Sequence, residues 1–521
     1  MRIALLAGPY DTKRYRAAES LGLKYLASTL ESCGQMVDVF EMELQGLSED
    51  DLIRRLKGGQ YSLIGFGALF TTSLPEVISL AERIRLEVPS AHFVVGGQGT
   101  TFVWKEILQS SDVFDSCVCF EGEHTIVELI ASLEHGVEHL KEVKGIYYRG
   151  KSGIHFTGFR QPITNLDGLP FPKRDLQSRV RDQPHFMVLG SRGCQHRCQF
   201  CASGFFGNRY YDGPRRRVRS VANLVEEIAS VVEQFGATAI SFVDDDFLGC
   251  GNDAERRVND FCDLLARSRF KVKWAIKCRT DGVDEVLFRK MHSIGLERVF
   301  LGIDAGNEQD LKRFAKQTSL EAAVRAVAIL RALGIGFQAG LIMFNPTTTL
   351  QQIEQNLAFL ESCELGGYDV LMNRLKLYRG SPLLHYYNEL GLVQRLQFGF
   401  EWQFQDARVD VLRKVAHDVL LPFRLLETEL YETRFRVQGG IIGSREQSDD
   451  CDQKLRYLDS LERDISCGER TLMGRALEEM MRKADIELAG DSVATCTAQL
   501  QSEQQGLYEM FKRGLHGVND T

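Results

Sequence analysis

The sequence predicts an α/β chain in three parts: a doubly wound, Rossmann-like sheet at the front, a partial (β/α)6 parallel barrel behind it, and a helical C-terminal domain. Three observations carry this. Short apolar runs alternate with amphipathic segments from Met1 to about Glu134, and the same alternation resumes at His185 and runs to Leu377. Beyond about Gln394 the pattern turns helical. The expected divisions are 1–140, a hairpin and linker over 141–184, the barrel over 185–394, and the helical domain over 395–521.

Element by element, the front part reads as strands Arg2–Leu6, Val37–Phe40, Leu63–Gly67, His92–Gly96 and Ser116–Phe120. Helices Ser20–Ser32, Glu49–Lys57, Pro75–Glu87, Val103–Ser110 and Thr125–Leu133 stand between or after them. Ile146–Arg149 and Ile154–Phe156 make a hairpin around Gly150–Gly153. The barrel strands are Phe186–Gly190, Ala239–Val243, Val272–Cys278, Arg298–Ile303, Gly336–Phe344 and Asp369–Leu377. Helices Val221–Gln234, Glu255–Ser268, Val283–His292, Leu320–Leu333 and Leu350–Ser362 link them. In such folds ligands are received at the carboxyl ends of the strands.

Composition narrows the function. With 44% hydrophobic and 26% charged residues the chain is globular, and a net charge of −8 argues against a general affinity for nucleic acid or anionic membranes. The start carries no secretory pattern and no run of apolar residues is long enough to span a membrane, so a reducing cytoplasm is expected. There the thirteen cysteines read as core thiols or metal ligands, not as disulfides.

Three of them fall in Gly193-Cys194-Gln195-His196-Arg197-Cys198-Gln199-Phe200-Cys201, at the carboxyl end of the first barrel strand. A C-x3-C-x2-C loop can bring three thiolates to one centre. Zinc would want a fourth ligand from a second pair, and His196 lies inside the loop. A four-iron cluster instead takes three thiolates and leaves one iron open.

This motif, with Phe200 before the last cysteine, resembles the radical S-adenosylmethionine (SAM) superfamily, and the resemblance extends over Phe186–Pro382. It implies a 4Fe-4S cluster on Cys194, Cys198 and Cys201 whose open iron chelates SAM and cleaves it to a 5′-deoxyadenosyl radical. The family places SAM contacts where Asp244, Asp245 and Asp246 follow the second strand; a helix cap is the structural alternative for these carboxylates. Arg279 ends the third strand and suits the SAM carboxylate. Asp304 in Gly302-Ile303-Asp304-Ala305-Gly306 stands where relatives carry glutamate. Tyr378-Arg379-Gly380-Ser381-Pro382 reads as a turn into a helix.

The front domain lacks both the dinucleotide G-x-G-x-x-G and a Walker loop. It resembles the cobalamin-binding fold of methionine synthase and its mutase relatives: Gly67-Ala68-Leu69 stands at the S-x-L place and Gly96-Gly97 follows at the family's spacing. The D-x-H-x-x-G element is missing, since counting back lands at Ser20–Tyr25, and no histidine ligand to cobalt is expected. The resemblance places cobalamin against Gly8 and Pro9, then Gly67, Ala68, Leu69, Phe70, Thr71, Thr72 and Ser73. It adds Gly96, Gly97, Gln98, Gly99 and Thr100, and finally Glu121, Gly122 and Glu123. A doubly wound domain used only for packing is the bland alternative. The run Pro214-Arg215-Arg216-Arg217-Val218-Arg219 reads as a solvated loop, Ser220 as a helix cap, and Cys33, Cys117, Cys119, Cys262, Cys278 and Cys363 as core thiols.

Together these resemblances imply a cobalamin-dependent radical SAM enzyme that methylates an unactivated carbon of a small molecule or natural product, using methylcobalamin. Its electrons would come from a donor such as flavodoxin or ferredoxin. No catalytic acid/base pair stands out, and a radical methyl transfer needs none. A cobalamin-assisted rearrangement, oxidation or cyclisation is the rival within the architecture, and a non-catalytic cobalamin sensor is the rival outside it. The substrate and the oligomeric state are not encoded in any motif.

Overall fold

The computed structural model describes residues 1–8, 19–174, 179–180, 183–203, 214–443, 449–482 and 490–519. Strands β1 (Arg2–Ala7), β2 (Met36–Glu41), β3 (Leu63–Gly67), β4 (His92–Gly96) and β5 (Ser116–Val118) form a parallel sheet. β6 (Ile146–Gly150) and β7 (Gly153–Phe156) extend its β5 edge antiparallel. The order β2-β1-β3-β4-β5-β6-β7 reverses between β1 and β3. That reversal is the switch point where such sheets open a crevice for ligands.

Alternation along β1 shows why both faces are covered. Ala4 and Leu6 enter one hydrophobic core with Phe66 and Phe93, while Ile3, Leu5 and Ala7 enter another with Leu30 and Leu129. Successive side chains point to opposite faces of a strand, so a run of five apolar residues demands helices on both sides.

In the second sheet β8 (Arg179–Val180) pairs antiparallel with β9 (Gln183–Val188). β12 (Ala239–Phe242), β13 (Lys273–Arg279), β14 (Leu296–Asp304) and β15 (Gly336–Leu341) follow β9 in parallel. Two short strands, β10 (Ser191–Arg192) and β11 (Arg217–Val218), form a separate antiparallel ribbon. The parallel strands lie in chain order with no reversal, as in a barrel wall.

The sixth barrel strand expected at Asp369–Leu377 is not a strand. Gly367 turns at φ 97°, Tyr368–Leu371 is a helical turn, and only a single parallel bridge, Phe344 to Arg374, holds the sixth position. A hairpin of β16 (Val393–Arg395) and β17 (Phe400–Trp402) comes before the helices that were expected to begin there.

Three long helices, Ala407–Gly443, Asp449–Arg482 and Gly490–Asn519, complete the described chain and pack on one another and on barrel helix Leu350–Ser362. Their apolar residues, from Val409 to Leu515, join the barrel's hydrophobic core as one cluster. Among the described residues no helix is long and apolar enough to cross a membrane.

Candidate active site between two strand edges

The cysteine loop begins where the β10–β11 ribbon ends. Gly193 sits at φ 79°, and a Cβ there would lie 2.1 Å from the Arg215 carbonyl oxygen, so only glycine lets the two strands close. The loop is then clamped: Gln199 N donates to Phe314 O at 2.9 Å, Cys201 N to Cys198 O at 3.0 Å, and the Phe200 ring packs edge-on to Phe314 at 5.4 Å. Phe200 is thus a wedge holding the loop against the segment after β14.

Cys198 is buried and Cys194 and Cys201 are partly exposed. Burial pushes the Cys194 thiol up to about 12 and the Cys198 thiol above its usual range, so free thiolates are unfavourable here until a cation takes their charge. Among the described residues no three His, Cys, Asp or Glu side chains are placed as ligands of a single metal ion. A four-iron cluster makes a different demand, one thiolate on each of three separate irons.

The carboxylates after β12 divide their tasks. Asp244 is fully buried and both oxygens are used within the fold, accepting from Gly190 N at 2.8 Å and the Ser191 hydroxyl at 2.5 Å. It braces the turn that leads into the ribbon. Asp245 is exposed. Asp246 is buried, 3.4 Å from His196 Nε2 through one oxygen, while its Oδ1 is buried with no hydrogen-bond partner. None of the three caps the following helix, whose N-cap is Gly251. An orphaned carboxylate oxygen beside the cysteine loop is the acceptor that an ammonium ligand requires, so Asp246 fits SAM.

Arg279 is held by contacts within the chain. Its Nε and Nη2 pair with Asp281 at 2.8 and 2.9 Å, Nη2 also donates to Lys316 O at 2.5 Å, and Nη1 points to Cys198 Sγ at 3.7 Å. Asp304, at φ 69° where β14 leaves register with β15, ion-pairs with the buried Lys316.

On the front domain, the predicted loops meet at one edge. Gly8 N donates to Gly67 O at 3.3 Å, Ala68 N to Gly96 O at 2.8 Å, and Gly99 N to Ala68 O at 3.1 Å. Thr101 Oγ1 then bridges Gly97 O and Phe120 N. Pro9 lies outside the described residues. The glycines serve the chain's own packing: a Cβ on Gly97, at φ 117°, would be 2.5 Å from Ala68 O, and one on Gly99 would be 2.7 Å from the Phe70 carbonyl carbon. Leu69, Thr72 and Gln98 are exposed at this edge, whereas Phe70 and Thr71 are half-buried and Ser73 and Thr100 buried. A projecting leucine with uncharged neighbours fits the apolar face of a corrin. At the place of the missing cobalt ligand, Lys24 and Tyr25 are buried in helix Leu21–Ser32, with Lys24 between Glu19 at 3.3 Å and Glu41 at 3.1 Å.

Glu121 and Glu123 hold the two edges together. Glu121 pairs with Arg217 at 2.8 Å and Arg192 at 3.3 Å and accepts from Ile163 N at 2.7 Å; Glu123 pairs with Arg192. Their carboxylates therefore bind the ribbon that launches the cysteine loop, with Gly122 between them. The arginine run is correspondingly not solvated: Arg216 donates to Phe247 O at 2.8 Å, and Arg219 is buried against Glu227 and Tyr25. Deeper in, Arg174 joins Glu19 to Glu227 (2.6 Å) and Glu19 accepts from Met187 N of β9 at 2.5 Å. On the far side Glu106 accepts from Arg379 at 2.6 Å and Arg395 at 2.5 Å, and Phe398 of the β16–β17 hairpin sits in the front-domain core. Ser220 caps its helix as expected, the turn at Tyr378–Pro382 leads into helix Pro382–Glu389, which Ser381 caps, and Cys33 is exposed instead of in the core.

Comparison with known proteins matches both domains. The B12 binding domain family matches residues 11–130 and the radical SAM superfamily matches residues 188–360. An uncharacterised methyltransferase of Pyrococcus horikoshii is 25% identical over 374 residues, 70% of this chain and 79% of its own. Hopanoid C-3 methylase of Methylococcus capsulatus is 28% identical over 343 residues, 64% of this chain and 62% of the methylase. The fold is also that of OxsB, a cobalamin-dependent SAM radical enzyme solved with aqua-cobalamin and SAM bound, at TM-score 0.77, 18% identity, and coverage of 99% of this chain and 83% of that one.

Proposed function

The chain belongs to the cobalamin-dependent radical SAM enzymes, and from that premise we propose that it transfers a methyl group to an unactivated carbon of a small-molecule or natural-product substrate. One observation carries this reading: the Glu121 and Glu123 pairs with Arg192 and Arg217 tie the cobalamin edge of the front sheet to the stem of the cysteine loop. Two cofactor sites so fixed serve one chamber.

When bound, cluster and SAM supply a hydrogen-abstracting radical and methylcobalamin supplies the methyl group. The chain's own work is to bind and orient. Cys194, Cys198 and Cys201 hold three irons. Asp246, with its free buried oxygen, accepts from the SAM ammonium. Asp304 and Arg279 shape the opposite side, at the ends of β14 and β13. The loops from Gly67 to Ser73 and Gly96 to Thr100 carry cobalamin, and the hairpin around Phe398 braces them from outside. Asp244, Glu121 and Glu123 act as braces.

Methyl transfer to a neutral substrate radical would need no dedicated acid/base pair from this chain. A flavodoxin- or ferredoxin-class donor in a reducing cytoplasm suits an oxygen-sensitive cluster. The test is anaerobic reconstitution with iron, sulfide and methylcobalamin, then mass analysis of the products formed from SAM. Deoxyadenosine and S-adenosylhomocysteine together are expected. Deoxyadenosine alone would reassign the reaction to rearrangement, oxidation or cyclisation.

A further inference from the structure

Lys316 is buried, with 5% of its side chain exposed, and the backbone around it is strained. Six non-glycine residues have left-handed backbone among the described residues, and three of them surround this lysine. Ala315 (φ 48°) and Gln317 (φ 54°) flank it in the chain, and Asp304 (φ 69°) is its ion-pair partner. Such conformations are costly for residues that carry a Cβ and persist only where the surroundings force them.

Ala315 N donates to Lys312 O at 3.0 Å and Lys316 N to Leu311 O at 3.1 Å, a left-handed cap that ends helix Glu308–Arg313, and the segment's other contacts lead toward the cysteine loop. Phe314 O accepts from Gln199 N at 2.9 Å, Lys316 O accepts from Arg279 Nη2 at 2.5 Å, and Thr318 meets Thr280 at 3.2 Å. Arg279, locked by Asp281, aims Nη1 at Cys198 Sγ. Burial opposes the charge of Lys316, and the ion pair with Asp304 holds the ammonium in place against it. A buried ammonium is costly to keep unless a nearby negative charge uses it.

We propose that Lys316 and Arg279 are positioning residues that set the electron affinity of the cluster from its Cys198 side. The inference rests on the reading of Cys194, Cys198 and Cys201 as cluster ligands. Taking one electron from a low-potential donor adds one negative charge to the cluster and its thiolates; no bond forms or breaks and no proton moves. A fixed ammonium and an N–H···S hydrogen bond both favour the more negative state. Asp304 works the other way, by neutralising part of the ammonium's field.

The test is a redox titration of the reconstituted full chain, with dithionite and redox mediators in the absence of SAM, followed by EPR of the reduced cluster. Lys316→Met is expected to lower the reduced-to-oxidised ratio at fixed potential at least tenfold, about 59 mV for one electron. Asp304→Asn should shift the midpoint in the opposite direction, and Lys316→Arg should restore it. Should Lys316→Met take up no iron, the sign of the Asp304→Asn shift decides. Unchanged midpoints with full iron content, shifts of one sign in both variants, or a shift seen only after SAM is added would each overturn the proposal. Wild-type chain that assembles no cluster overturns the underlying cluster reading with it, which keeps the two failures distinct.

Discussion

Stability of the helical domain is expected to fall as pH rises through neutrality, because two carboxyls are buried against each other where that domain meets the barrel. Glu427 of helix Ala407–Gly443 accepts from Tyr368 N at 3.0 Å, and Glu469 of helix Asp449–Arg482 is completely buried beside it. Burial first, then Asp369 and Glu462, push Glu427 up to about 7; burial and Glu427 push Glu469 well above its usual range. Both bind a proton more tightly folded than unfolded. Their contribution is therefore whole below the ordinary carboxyl value of 4.5 and drains away as pH rises to 7 and beyond.

For Glu427 alone the loss follows the one-proton linkage slope, on the order of 1 kcal/mol per pH unit across that window, and Glu469 carries the loss further. Urea unfolding at pH 5.5, 6.5 and 7.5, followed by circular dichroism, measures it. Glu469→Gln removes one of the two titrations, so its unfolding free energy should decline with pH less steeply than that of wild type, by about 1 kcal/mol per unit. Parallel slopes would refute the reasoning from two buried carboxyls.

Other outcomes follow from the same contacts. Gly97→Ala places a Cβ against Ala68 O in a backbone region that only glycine adopts, and should destabilise the front domain by about 2–3 kcal/mol and weaken cobalamin retention on gel filtration while leaving iron content intact. Single Cys194→Ala, Cys198→Ala and Cys201→Ala variants should each lose iron and SAM cleavage yet keep cobalamin, read by metal analysis and absorbance. Arg174→Met strands Glu19 and Glu227, although Lys24 and Arg219 remain beside them, so the cost should sit near 3 kcal/mol in chemical unfolding, at the low end for a broken buried pair.

Much of this architecture was legible because it is local. The alternation of apolar runs marks strands whatever their partners, and C-x3-C-x2-C states its own geometry. Asp369–Leu377 was misread because its apolar residues suit a strand, whereas Gly367 and the Glu427 contact to Tyr368 N start a helical turn there. Arg217 and Arg219 looked solvated because their carboxylate partners, Glu121 and Glu227, belong to other elements, and no spacing rule announces such pairs. Lys316 gave no signal: left-handed alanine and glutamine on either side of it are invisible in a sequence, where only glycine hints at positive φ. The site's chemistry was readable from the cysteines and glycines; the ionic frame that joins its halves was not.

EPR of the chain loaded with both cob(II)alamin and the reduced cluster tests most directly whether the two cofactor edges face one chamber. The Arg192 and Arg217 clamp on Glu121 and Glu123 predicts two paramagnets that interact, with broadened or split signals that relax toward the isolated spectra in Arg192→Ala. Two unperturbed, independent signals in the wild-type enzyme would contradict it.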